Sequence, residues 1–135
     1  NQEIKLLTVK GNSEQRVHGY ERITLFLERL KPSNLVTKFD KSLAPHEFVF
    51  LIEKTINEEF DYNASQQLYL TKNLWKNVVN CKNNTLHLLH KTYENLNENS
   101  TLDDFKTVFL MNYMNEADFI AQTIEDLRKE NLIVN

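Results

Sequence analysis

The sequence predicts an all-α protein, a compact stack of six to seven short antiparallel helices folded as a single domain. Three observations carry this. Apolar residues recur at three- and four-residue intervals along most of the chain, the repeat of a helix with one buried face. The only two glycines, Gly11 and Gly19, lie in the first twenty of 135 residues, and hairpin turns at positive φ are hard to build without more of them. Short polar joints separate the periodic stretches, and the chain's seventeen asparagines suit the left-handed positions that end helices. A chain of 135 residues fits one domain and can bury about 68–70% of its unfolded surface.

Residues 1–16 alternate weakly through Ile4, Leu6 and Thr8, turn polar at Gly11-Asn12-Ser13-Glu14, and read as a flexible lead-in. The helical domain is expected over residues 17–130, with 131–135 as a C-terminal tail. Tyr20, Ile23, Leu27 and Leu30, flanked by Phe26, mark the first helix. Pro32 stops it, because the residue before a proline is pushed out of the α region. Ser33 is expected to cap a short helix that turns Leu35, Val36 and Phe39 inward. Pro45 suits the first position of another, with Glu47 at the positive end of its dipole. Its inward face reads Phe48, Ile52, Ile56 and Phe60, with Leu51 beside them.

Asn63 and Gln66 have capping-box spacing. The helix expected after them carries Leu70, Leu74, Val78 and Cys81 on one side and Leu68, Trp75 and Val79 on another. Two apolar stripes predict a central helix covered by neighbours. Asn83-Asn84-Thr85 is expected to break it, and Leu86, Leu89, Tyr93 and Leu96 mark a further helix. Thr101 caps the next, with Asp103 and Asp104 in its first turn and Phe105, Val108, Phe109 and Met111 behind them. Asn115, with Asp118 at capping-box spacing, precedes Phe119, Ile120, Ile124 and Leu127.

Composition excludes several classes of function. A net charge of −3 and a pI near 5.8 provide no basic footprint, so no nucleic-acid partner is expected. No apolar run approaches the ~18 residues of a membrane span. The single cysteine, Cys81, has no internal partner, which favours a reducing cytoplasmic or nuclear setting. The chain begins at Asn1 without a charged and apolar leader, and reads as an excised domain. The absence of glycine after Gly19 removes the phosphate-cradling loops of most nucleotide enzymes. Glycosylation-like triplets start at Asn63, Asn83 and Asn99, but such an asparagine-rich chain yields about two by chance.

Little in the sequence suggests catalysis. His87, His90 and Glu94 fall on one helical face, yet metal sites usually draw on a second element; a solvated face is the expectation. Cys81 sits on an apolar stripe and reads as a buried, inert thiol. Glu58-Glu59 and Asp103-Asp104 are adjacent pairs, and neighbours on a helix point in different directions. No enzyme activity, metal or cofactor is expected. The stretch from Phe105 to Phe119 stands out instead. Phe109, Leu110, Met111, Tyr113 and Met114 crowd six positions, more than one helical face can bury; the stretch reads either as the densest part of the core or as an exposed patch, since methionine-rich aromatic surfaces adapt well to partners.

The run Leu27–Glu53, LERLKPSNLVTKFDKSLAPHEFVFLIE, resembles the C-terminal domain shared by RNA polymerase II-associated protein 3, the Spaghetti protein and sperm-associated antigen 1. The pattern is a leucine-bearing helix, Pro32-Ser33, then Phe39, then Ser42-Leu43 and Pro45 leading a second helix. The likeness extends over roughly residues 20–128. A later family element, an apolar helix passing into a cap, is matched by Val108 to Asn112 or by Tyr113 to Glu116. The family often carries Arg-Phe-Asp before that stretch, whereas this chain has Leu102-Asp103-Asp104-Phe105-Lys106. Lys106 would replace the arginine only in part, since lysine lacks its planar fork.

The resemblance implies a non-catalytic co-chaperone adaptor. Such domains tether RuvB-like AAA+ ATPases to a scaffold whose other parts hold heat-shock proteins 90 and 70, for the assembly of large protein and ribonucleoprotein complexes. The residues expected to meet the partner are Lys106, Phe109, Leu110, Met111, Tyr113 and Met114. The alternative is a helical scaffold, or a dynein-assembly adaptor, of another family with different partners.

Overall fold

Helical backbone runs through nearly the whole chain. The computed structural model describes residues 2–134, with side chains from Ser13 to Ile133. Six α-helices follow in order: α1 (Gln2–Leu30), α2 (Pro32–Leu35), α3 (Pro45–Asn63), α4 (Lys72–Glu94), α5 (Leu102–Met114) and α6 (Phe119–Val134). A 3-10 segment, Ala64–Tyr69, joins α3 to α4. Among the described residues there is no strand, and the all-α stack stands as the sequence predicts.

The helix α4 is central: α1, α3, α5 and α6 all pack on it. The inward stripes read from the sequence are buried, including Tyr20, Ile23, Phe26, Leu27 and Leu30 of α1 and Phe48, Ile52 and Ile56 of α3. Each fully buried aliphatic or aromatic side chain contributes about 1.5–3 kcal/mol. Aromatic rings knit the layers together. Phe60 of α3 lies 5.9 Å from Phe26 and stacks on Trp75 of α4 at 5.4 Å. Phe48 meets Phe105 of α5 edge-on at 5.9 Å.

Gly19 is needed where it stands. A Cβ there would lie 2.9 Å from Cδ2 and 3.3 Å from Cβ of Tyr69, so the 3-10 segment rests directly on the α1 backbone. Close approach is one of the few reasons a helix interior tolerates glycine.

The structure departs from the sequence reading at the joints. The stretch expected as a lead-in, residues 1–16, is helical from Gln2, and the tail expected at 131–135 is helical through Val134. The N-terminal flank is rich in Gln, Glu, Lys and Leu, good helix formers that extend a turn already anchored by packing, while the C-terminal flank continues α6 by a single further turn. Asn83-Asn84-Thr85 does not break α4. Asparagine and threonine each cost only about 0.6 kcal/mol in a helix. Leu74, Val78, Cys81, Thr85, Leu88, Leu89 and Thr92 form one continuous buried stripe, whose burial outweighs that cost. Asn63 does not cap α4: α3 runs to Asn63, which precedes the 3-10 segment without a side-chain cap bond, and Thr71 caps α4 by accepting from the Leu74 N–H at 3.3 Å.

Two further caps move. Asp118, not Asn115, receives the Ala121 N–H at the start of α6, at 3.0 Å. In α2 the N-cap is Lys31 and Ser33 lies inside the helix. Phe39 is not inward. The helix α2 ends at Leu35, and Phe39 sits in the following turn at φ 68°, exposed, an uncommon backbone state for a bulky residue.

Candidate docking surfaces

The helix α5 is set by its first turn. Thr101 Oγ1 accepts from the Asp104 N–H at 3.1 Å, and the Asp104 carboxylate accepts from the Thr101 N–H at 2.9 Å. That reciprocal box satisfies two donors which would otherwise be orphaned. Asp103 and Asp104 also lie at the positive end of the dipole. Leu102, Phe105 and Phe109, at i, i+3 and i+7, point inward and are buried, with the two rings stacked at 5.8 Å.

The structure divides the six residues expected to meet a partner. Phe109 is 0% exposed and is a core residue. Tyr113 is half-buried and turned towards the start of α6. Its ring meets Phe119 edge-on at 5.4 Å, and its hydroxyl donates to the Asp118 carboxylate. Burial first, and then that bond, hold its phenol well above the usual tyrosine range. Phe109 thus lies in the core and Tyr113 half-buried, a division the sequence reading could not make within so dense a run.

The other four lie on the outer side. Lys106, Leu110 and Met114 follow one another at i, i+4 and i+8, a row that winds outward along α5. Lys106 sets its ammonium 5.2 Å from the centre of the Phe48 ring, a cation–π contact that orients the side chain while it remains partly exposed. Leu110 is half-buried. Met111 is 56% and Met114 79% exposed, and Val108 borders them. The result is a convex apolar strip on a rigid helix, flanked by one cation.

The groups considered for catalysis are dispersed. His90 pairs across to Glu53 of α3 at 3.2 Å, while His87 and Glu94 face solvent. Among the described residues, no three His, Cys, Asp or Glu side chains converge to hold a metal. Cys81 is buried with its sulfur 3.2 Å from Thr123 Oγ1. Desolvation pushes its thiol up, away from the reactive thiolate. Glu58 and Glu59 face separate cations, Lys54 and Arg29, each at 3.9 Å.

An apolar groove between α1 and α6 escaped the sequence reading. Its signal was Leu25, which stands off the buried Tyr20–Leu30 stripe and is 48% exposed.

The chain belongs to a family of unknown function, DUF7935, which matches residues 1–132. No curated protein and no solved structure matches it.

Proposed function

We propose that this chain is a non-catalytic protein-docking module of a co-chaperone adaptor, presenting the outer strip of α5 to a RuvB-like AAA+ ATPase. The observation that carries the docking role is the exposure of Met111 and Met114 on a helix whose opposite face is locked by Phe105 and Phe109. Exposed apolar side chains on a rigid element are suited to binding, because little conformational freedom is lost on contact. Methionine adds adaptability, its flexible thioether fitting an irregular partner.

The choice of partner rests on the sequence resemblance. Its prolines fit the fold, since Pro32 and Pro45 occupy the first positions of α2 and α3. In this reading the heat-shock proteins 90 and 70 are held by other parts of a longer chain, and the module works in the cytoplasm or nucleus without metal or cofactor.

Size-exclusion chromatography of the full 135-residue chain with purified RuvB-like ATPases tests it. Co-elution with at least one ATPase is expected, and its loss on replacing Met111 and Met114 together by glutamate. Failure of the unaltered chain to co-elute with any of them would sink the partner assignment.

A further inference from the structure

The groove between α1 and α6 has the shape and charge of a second docking site, away from α5. It encloses about 600 Å³. Val17, Tyr20 and Leu25 of α1 and Ile124 and Leu127 of α6 form its apolar lining. Val17 also borders a second hollow of about 300 Å³ lined by Glu14 and His18 of α1, one turn towards the N-terminus. From Glu14 to Glu28 the two hollows together follow α1 for about 20 Å at 1.5 Å per residue. That length and the helix-on-helix walls suit a third helix of about four turns lying along the groove.

Charge is sorted across α1. Glu14, Glu21 and Glu28 recur every seven residues along the groove side. Arg22 and Arg29, each one residue further on, turn to the other side and are held by α3. Arg22 donates to Asn63 Oδ1 and to the Tyr62 carbonyl, both at 3.0 Å, and lies 5.0 Å from the Tyr62 ring centre. Arg29 faces Glu59 at 3.9 Å. Those two arginines are thereby held away from the groove wall, while Arg16 lies close enough to Tyr20 to act on its phenol.

Other charges lie near this row of carboxylates. Glu21 faces His18 at 3.5 Å, and Glu28 faces Lys31 at 3.0 Å. The first pair is exposed on both sides, a kind worth about 0–1 kcal/mol that exchanges readily for a partner's cation, whereas Lys31 of the second is half-buried. On the opposite wall Arg128 lies 3.9 Å from Glu125 in an exposed pair of the same weak kind, and remains a cation on the groove lining.

We propose that this groove receives an amphipathic helix from a partner protein, with an apolar face seated on Leu25 and lysines or arginines at seven-residue spacing beside Glu14, Glu21 and Glu28. The helices α3 and α4 lie between this site and α5 in the packing order. The module then has two separate docking faces, one concave and acidic-walled, one convex and methionine-rich.

The test uses the full chain and two fluorescein-labelled designed helices of about four turns. Both carry leucine at helical spacing; one is flanked by lysine and its twin by glutamate. The lysine helix is expected to bind saturably, and at least about tenfold more tightly than its twin. Leu25→Asp, and separately Glu21→Lys with Glu28→Lys, should each weaken it by about tenfold or more, with helicity by circular dichroism unchanged. Should Leu25→Asp lose helicity, the charge reversal at two exposed sites decides alone. Equal binding of the two helices, no saturable binding of the lysine helix, or unchanged binding to the charge-reversed chain would overturn the proposal. So would a concentration-dependent dimer in sedimentation that Leu25→Asp abolishes, since a second copy would then fill the groove. Met111→Ser with Met114→Ser should leave peptide binding intact, so this result stands or falls apart from the α5 reading.

Discussion

The helices α1 and α5 each bury one face, but what they leave uncovered differs in kind. On α5 the uncovered side is apolar and convex, with Met111 and Met114 standing clear of the surface. On α1 a single leucine, Leu25, lies between a row of carboxylates and two arginines already held by α3. A partner on α5 gains mainly from desolvating apolar side chains, which salt scarcely weakens. A partner along α1 gains from charge as well, and salt screens exposed charges within about 10 Å at 0.1 M. One fold can therefore offer two surfaces whose binding responds differently to the same change of buffer.

The comparison depends first on which α5 residues are core. Phe109→Ala should cost about 3–5 kcal/mol, the usual loss for emptying a buried aromatic site, seen as a lower midpoint in urea unfolding. Met111→Ala and Met114→Ala should fall within about 0.5 kcal/mol of the unaltered chain. Equal costs for all three would erase the division between the inner and outer faces of α5.

On α1 the corresponding strong position is Gly19. Gly19→Val drives a branched side chain into Tyr69 and should destabilise by about 2 kcal/mol, typical of overpacking. Urea unfolding gives the magnitude, and a gain in stability would mean that the 3-10 segment is not seated on α1. Next comes the cap of α5. Thr101→Ala removes an acceptor that the Asp104 N–H uses and should cost about 1 kcal/mol, with Thr101→Ser restoring most of it.

Much of this was legible in the sequence because helix faces repeat locally. The stripes Tyr20–Leu30 and Phe48–Ile56, and the cap at Thr101, follow from spacing alone. The unity of α4 was not legible. Asn83-Asn84-Thr85 looks like a joint until Thr85 is seen to continue the buried stripe of Cys81 and Leu88, and that depends on what packs against it. The candidate site was half legible for a similar reason. The crowding of Phe109 to Met114 shows that some side chains must face out, but only the positions of α3, α4 and α6 decide that Phe109 goes in and Met114 stays out. Leu25 is an off-stripe leucine that the sequence reading passed over. Its groove needed α6, about a hundred residues later in the chain.

The smallest expected effect involves one tyrosine on each helix. Burial, followed by a hydrogen bond to Glu130 for Tyr20 and to Asp118 for Tyr113, raises both phenols well above their ordinary range. The folded chain then keeps protons that the unfolded chain loses near pH ~10. Stability is full below that pH and falls as pH rises above it. Thermal unfolding between about pH 8 and about pH 11 should show a declining Tm. Tyr20→Phe and Tyr113→Phe should each flatten part of that decline, and a decline unaltered by both would remove these two groups as its cause.

The central claim is that docking belongs to the outer strip of α5. It is tested most directly by calorimetric titration of a purified RuvB-like ATPase with the full chain, its Met111→Glu/Met114→Glu variant and its Leu25→Asp variant. Saturable binding that the paired glutamates abolish and Leu25→Asp leaves intact, with little change between low and high salt, is the predicted result. Binding that survives the paired glutamates, or no binding by the unaltered chain, would contradict it.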